Sequence, residues 1–297
     1  MLSQDREVYY GLRDVKWRQR PWDGVRMLAS YLILSFGALI FLMPFFWMVG
    51  TSLKEQAEVY TFPPTFFPRV IRWENFPEGW THPNTMFPLW TANTLWITLG
   101  VMGGVLLASS LCAYGFARLK FPGRDFWFMV VLASIMLPGP VTLIPLYILY
   151  QRIGWLDTFK PLIVPAWFGG GAFNIFLLRQ FFKGIPMELE EAAIVDGASR
   201  FRIWWQIFLP LSKPALATIA VFTFQGVWND FYGPLIFLTS RSRYTLALGI
   251  NAFKGMYHTQ VPLMMAMSWL MVIPMIIIFF LAQKLMIRGV VLSGIKG

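Results

Sequence analysis

Acids and bases are scarce in this chain, and its second half gathers them into one long run, EEAAIVDGASRFRIWWQIFLP at 190–210. Glu188, Glu190 and Glu191 follow Pro186, so negative charge falls in the first turns of a helix, where the backbone dipole favours it. Ala192, Ala193 and Ala198 keep the segment thin around Asp196-Gly197, a pair that permits a sharp turn. Phe201, Trp204, Trp205 and Phe208 then stand at i, i+3, i+4 and i+7 and predict one apolar face, with Arg200, Arg202 and Gln206 off it and Pro210 ending the run. Such a bent pair of helices, about 187–208, suits docking into another protein's cleft. It equally suits an amphipathic connector resting on a membrane.

Other chemistries lack their residues. The chain has two histidines, His82 and His258, one cysteine, Cys112, and no HExxH pattern, so no metal site is expected. No GxxxxGK[ST] phosphate loop occurs, and Gly169, Gly170 and Gly171 lie in an apolar run where they serve close packing or a kink. No catalytic group and no cofactor of its own are expected. The polar, uncharged residues Asn93, Asn174, Gln225 and Asn229 accompany Trp90, Trp96, Trp167, Phe173 and Trp228. Amides beside aromatic rings are what a sugar face and its hydroxyls require, which makes the four amides candidates for a substrate path. Interhelical hydrogen bonds and lipid-facing aromatics explain the same residues.

The elements that must position these groups are set by composition. Of 297 residues 57% are apolar, 18% aromatic and 13% charged, and the mean hydropathy is +0.55. This is a membrane protein. Charge-free runs of the roughly 17 to 25 residues that a crossing helix needs occur at Met27–Val49, Leu89–Ala117, Phe126–Tyr150, Pro161–Leu178, Pro214–Asn229 and Pro262–Gln283, the fifth short. The expected fold is an all-α membrane protein with six transmembrane helices. Its expected domains are a basic segment 1–26, a six-helix domain 27–288 and a tail 289–297.

Alternating the loops puts 17 of the 25 Lys and Arg residues on the side of the two termini and of the 190–210 segment, so both termini and that segment are predicted cytoplasmic. Membrane lipid then accounts for the net charge of +10, and no nucleic acid is called for. The first run is too long and starts too late for a cleaved leader, and Trp17 and Trp22 suit an interfacial stretch. Gly100, Gly104, Ala108 and Cys112 recur every fourth residue as a small-residue stripe for a close helix neighbour, in this chain or another. None of the six runs contains Asp, Glu, Lys, Arg or His. That counts against a membrane-embedded enzyme or a proton-coupled carrier, the alternatives being an enzyme or a stand-alone facilitator.

The run EAAIVDGA, with Ile207 and Leu209-Pro210 at matching distance, resembles the EAA signature of the membrane-spanning permeases of binding-protein-dependent ABC importers. TSLKE at 51–55, AYGFARLKFPGRD at 113–125, LPGPVTLIPLYILYQRIGWLDT at 137–158, WNDFYGPLIFLTS at 228–240, TLALGI at 245–250 and GVVLSGIKG at 289–297 are similar to the second permease of carbohydrate importers of the maltose type. The resemblance implies a permease subunit of the prokaryotic cytoplasmic (inner) membrane, translocating a carbohydrate by alternating access. It implies a homologous second permease, two copies of a cytoplasmic ABC ATPase that hold ATP and Mg, and an extracytoplasmic solute-binding protein. Glu191, Ala192, Ala193, Asp196, Gly197 and Ala198 would form the coupling helix and bend that enter the ATPase cleft. The loop from Tyr232 to Val261 would meet the binding protein, and the tail would reach between the ATPase subunits.

Overall fold

The computed structural model describes residues 21–254 and 259–293, with side chains over 24–254 and 259–283. Trp17, His258 and the last four residues of the tail lie outside them. The regular elements among the described residues are helices joined by turns and loops; an isolated bridge pairs Lys254 with Thr259. The chain forms two compact units, Met1–Gly50 and Thr51–Gly297. Helix α1, Pro21–Ser52, carries the first apolar run, and its side chains are exposed along most of that run.

The second unit is built around one long helix. After α2, Asn75–Thr81, helix α3 spans Phe87–Arg118. Its hydroxyls turn back on their own backbone, Thr94 Oγ1 donating to Trp90 O at 2.8 Å and Ser109 Oγ to Val105 O at 2.5 Å. Bonds back to their own helix let such hydroxyls sit inside a bundle.

Helices α4, Arg124–Ala133, and α5, Gly139–Arg152, follow, then α6, Lys160–Gly169, and α7, Ala172–Lys183. The small-residue stripe faces a neighbour in the same chain. A Cβ at Gly100 would stand 3.1 Å from Ile163, and one at Gly104 would stand 2.6 Å from the Trp167 ring, so α6 lies directly on α3. Gly170 and Gly171 both have positive φ, and a Cβ at Gly170 would fall 2.5 Å from Ser109 N. The glycine triplet therefore serves the break and the close approach expected of it.

The run expected at Phe126–Tyr150 is broken in the middle. Arg124–Met136 and Gly139–Arg152 meet at 97°, because Pro138 is extended (ψ 133) and Gly139-Pro140 restart the helix. A second pair, Arg200–Leu211 and Lys213–Trp228, is bent by 78°. Four helices are long and apolar enough to cross a membrane, or up to six if each bent pair is one span, among the described residues. The chain closes with α8, Met187–Val195, α9, Arg200–Ile203, α10, Lys213–Trp228, α11, Tyr232–Phe237, and α12, Val261–Ser293. One apolar cluster gathers Tyr114, Phe182, Ile203, Trp204 and Phe208 near the Arg118 end of α3; another gathers Phe87, Trp90, Phe224, Trp228 and Met267 at the Phe87 end.

Candidate functional site

The segment 186–212 is shaped by local rules. Extended Pro186 precedes α8, and Glu188 and Glu190 occupy its first turn. The helix stops in a Schellman turn: Ala198 N donates to Ala193 O at 2.9 Å and Gly197 N to Ile194 O at 3.0 Å, with Gly197 at φ 78. A Cβ at Gly197 would meet nothing, so glycine is required there for its backbone and not for space. Ser199 Oγ accepts from Arg202 N at 3.3 Å and starts α9.

The apolar face predicted for the second helix is corrected. Ile203, Trp204 and Phe208 are buried, whereas Phe201 and Trp205 are 64% and 55% exposed. Residues Trp204–Phe208 form a π-helical turn, in which Leu209 N reaches back to Trp204 O. One extra residue in the turn resets the phase, so that positions five apart, not seven, share the inward face.

Two buried charges hold this segment, Glu190 from the acidic first turn and Arg118, which the sequence did not single out. Arg118, the last residue of α3, and Glu190 have side chains only 4% and 5% exposed. Arg118 Nη2 donates to Phe182 O at 2.6 Å and to Ile185 O, Nη1 lies 2.9 Å from Met187 Sδ, and the guanidinium sits 5.0 Å from the Phe208 ring centroid. The cation thus caps the carboxyl end of α7, where the helix dipole favours it. Glu190 Oε1 accepts from Arg200 Nη1 at 2.5 Å, while its Oε2 faces Arg118 Nε at 3.8 Å. A second buried arginine, Arg179, stands beside: 3.6 Å from Asp125, donating to Phe116 O at 3.2 Å and 3.9 Å from the centroid of Phe128. The residues flanking Leu119–Gly123 are thereby fastened to α7 from both sides.

The expected docking residues divide by exposure. Glu191, Ala192, Asp196 and Gly197 are exposed, Ala193 and Ala198 half-buried, and Val195 at the tip is 87% exposed. An open groove of about 240 Å³ beside them is lined by Ala193, Asp196, Ala198, Arg202, Gln206 and Ile207. Adjacent glutamates therefore have opposite surroundings: Glu190 ties the segment to the bundle, and Glu191 is free to meet a partner.

The four amides separate as well. Asn93 is buried, and its Nδ2 donates to Ser242 O at 2.9 Å and Tyr244 O at 3.0 Å. Asn174 Nδ2 donates to Gly170 O at 2.9 Å, bracing the break between α6 and α7. Gln225 and Asn229 are exposed one turn apart on α10, with Asn229 Nδ2 donating to Gln225 O at 2.9 Å.

At the Phe87 end of α3, segment 239–246 is stitched down by backbone-directed bonds. Trp90 Nε1 donates to Arg241 O at 2.7 Å, and Leu246 N donates to Thr94 Oγ1 at 2.8 Å. Asp157 accepts from Thr239 N at 3.0 Å, Ser240 N at 2.9 Å and Ser240 Oγ at 2.5 Å. Bonding from Ser240, side chain first and then backbone, holds the Asp157 carboxyl at about 2. Its own φ is 54, a left-handed conformation that Asp tolerates.

Helices long and apolar enough to cross a membrane, with a thin acidic hairpin exposed between two of them, define a polytopic membrane subunit. Residues 100–291 match the family described as binding-protein-dependent transport system inner membrane component, and the chain belongs to that family. Similar proteins include the galactooligosaccharides transport system permease protein GanQ of Bacillus subtilis, 32% identical over 96% of this chain and 100% of its own length. Another is the trehalose/maltose transport system permease protein MalG of Thermococcus litoralis, 32% identical over 88% and 93%. A chain in the crystal structure of a bacterial ABC transporter involved in the import of the acidic polysaccharide alginate shares the fold, with a TM-score of 0.78 at 23% identity, over 89% of this chain and 98% of that one. This chain is the permease component of an ABC importer, a multi-pass inner-membrane subunit. Subunits of this kind have no ATPase activity and work with an ATPase and a binding protein.

Proposed function

We propose that the chain carries an oligosaccharide across the cytoplasmic membrane as one of two homologous permeases, with two ATPase subunits bound on the cytoplasmic side. Relatives named for galactooligosaccharides, arabinooligosaccharides and trehalose/maltose support a saccharide cargo. In this reading the transport domain is 27–288, with six crossings, each bent pair counting as one. Both termini, the segment 1–26 and the tail 289–297 are cytoplasmic, as the basic loops favour.

Glu191, Ala192, Ala193, Asp196, Gly197 and Ala198 dock into the ATPase. When ATP closes the ATPase pair, the docked hairpins of the two permeases are drawn together and the bundles tip from inward-open to outward-open. The binding protein delivers its sugar to the loop Tyr232 to Val261, and hydrolysis resets the gate. Asn93, Asn174, Gln225 and Asn229 remain the candidates for the sugar's path, and exposed Gln225 and Asn229 are the pair open to a solute. The observation that carries the reading is the exposed acidic rim, Glu191 and Asp196 around Val195, on a hairpin fastened from behind by buried charge.

The test is uptake of labelled oligosaccharide by the assembled importer with Glu191→Lys and Asp196→Lys together. Normal membrane insertion with uptake lost is expected; normal uptake would overturn the docking assignment. Competition by unlabelled galacto-, arabino- and malto-oligosaccharides checks the cargo, and a failure of every saccharide to compete would overturn the carbohydrate reading.

A further inference from the structure

The contact between Arg118 and Glu190 is unfinished in a specific way. Arg118 Nε and Glu190 Oε2 are both buried to less than 1 Å² of accessible surface and neither has a hydrogen-bond partner. They face each other at 3.8 Å. A charge-assisted N–H to carboxylate bond closes at about 2.7–2.9 Å, so a shift of roughly 1 Å would satisfy both atoms at once. Every other polar atom of the two side chains is engaged: Oε1 by Arg200, and the terminal nitrogens of Arg118 by Phe182 O, Ile185 O and Met187 Sδ. Two buried, mutually facing, unsatisfied partners describe a joint that is open in this conformation and has a closed one close by.

The two residues belong to different elements. Glu190 and its anchor Arg200 sit on the docking hairpin, α8 and α9. Arg118 ends α3, the helix on which α6, α7 and α10 pack. We propose that Arg118 and Glu190 are positioning residues forming a make-and-break strut: pressure on the docking hairpin closes the Nε–Oε2 bond and transmits the push directly to α3, in addition to the chain path through Pro210 into α10. This rests on the docking reading given above. The Phe208 ring, packed on both Arg118 and Tyr114, keeps water from the joint, so that the bond, once made, is not exchanged for hydration.

The experiment uses the complete importer, both permeases with ATPase subunits, in proteoliposomes with its binding protein. Glu190→Gln keeps its one acceptor oxygen for Arg200 and so sets an amide N–H donor against Arg118 Nε. Arg118→Lys keeps the charge and removes Nε–H. Each variant is expected to retain the ATPase subunits at wild-type stoichiometry and its basal hydrolysis, while ATPase stimulation by the binding protein falls about tenfold, the scale of one hydrogen bond to a charged group. The double variant is expected to fall no further than Arg118→Lys alone, which removes the Nε–Oε2 bond together with the Nη2 bonds to Phe182 O and Ile185 O.

Wild-type stimulation in Glu190→Gln would overturn the strut, and so would loss of the ATPase subunits from Glu190→Gln and Arg118→Lys, which would make the pair a support of the docking surface only. Additive losses in the double variant would also overturn it. Retention of the ATPase by the Glu191→Lys, Asp196→Lys chain would instead overturn the docking reading beneath it, so the two failures are distinguishable.

Discussion

The two ends of α3 are held by different chemistry. At the Phe87 end, Trp90, Asn93, Thr94 and Asp157 bond to the backbone of 239–246, so the loop is fixed whatever side chains it carries outward. At the Arg118 end, the hairpin 187–208 is held through side chains, with Glu190 shared between Arg200 at 2.5 Å and Arg118 at 3.8 Å and the π-helical turn resting on Phe182 and Tyr114. Directional bonds to backbone specify one position. A shared carboxylate between two arginines on different elements has more than one satisfactory position. The first arrangement builds a shelf and the second a joint, which is what a subunit needs if one end receives a delivered solute and the other is pushed.

The comparison breaks most visibly at Asn93. Asn93→Leu removes the donor shared by Ser242 O and Tyr244 O, at about 0.5–1.5 kcal/mol for each bond lost. A large drop in the thermal unfolding midpoint of the detergent-solubilised protein is expected, with co-purification of the ATPase unchanged in what remains folded. Gly197→Val comes next. At φ 78 a β-branched residue costs about 1–3 kcal/mol although its Cβ meets nothing. Uptake should fall at least about tenfold and the unfolding midpoint should drop with the strain, and Gly197→Asn, which accepts the left-handed region, should recover most of both. Equal uptake in the Val and Asn variants would show that the turn is not what matters.

Asp157→Asn is the smallest and sharpens the account of the shelf. Asn also accepts φ 54, so the substitution isolates the charge, and a loss of about 1 kcal/mol is expected. The carboxyl at about 2 lies below its ordinary value, about 3.9. Its contribution is therefore fully present above about pH 4 and lost as pH falls through about 2. Unfolding followed by tryptophan fluorescence should show an acid limb in that window in the native chain, flattened in Asp157→Asn.

What was legible in the sequence follows the range of the interactions. Apolar helices, the Asp196-Gly197 turn and the Gly169–Gly171 break are written locally, and they stand where composition and backbone rules put them. The 97° bend had a local signal too, Pro138-Gly139-Pro140, but an uninterrupted apolar run masks it when charge alone is scanned. The phase of 201–208 was not legible, because a π-helical turn changes the period and nothing in WWQIF announces one. Nor was the Arg118–Glu190–Arg200 cluster. Charges at the edges of apolar runs read as solvated flanks, and only the fold brings the end of α3 under the docking hairpin. Of two neighbouring glutamates, periodicity gave no reason to separate the buried from the exposed one.

The account turns on the hairpin's tip pressing on the ATPase from the cytoplasmic side, and site-specific photo-crosslinking from Val195 in the intact importer tests it most directly. Val195 is 87% exposed and buried Ile203 serves as the control. The account predicts an adduct between Val195 and the ATPase subunit whose yield depends on nucleotide, and none from Ile203. An adduct with the binding protein, or none with the ATPase in a complex that still transports, would contradict it.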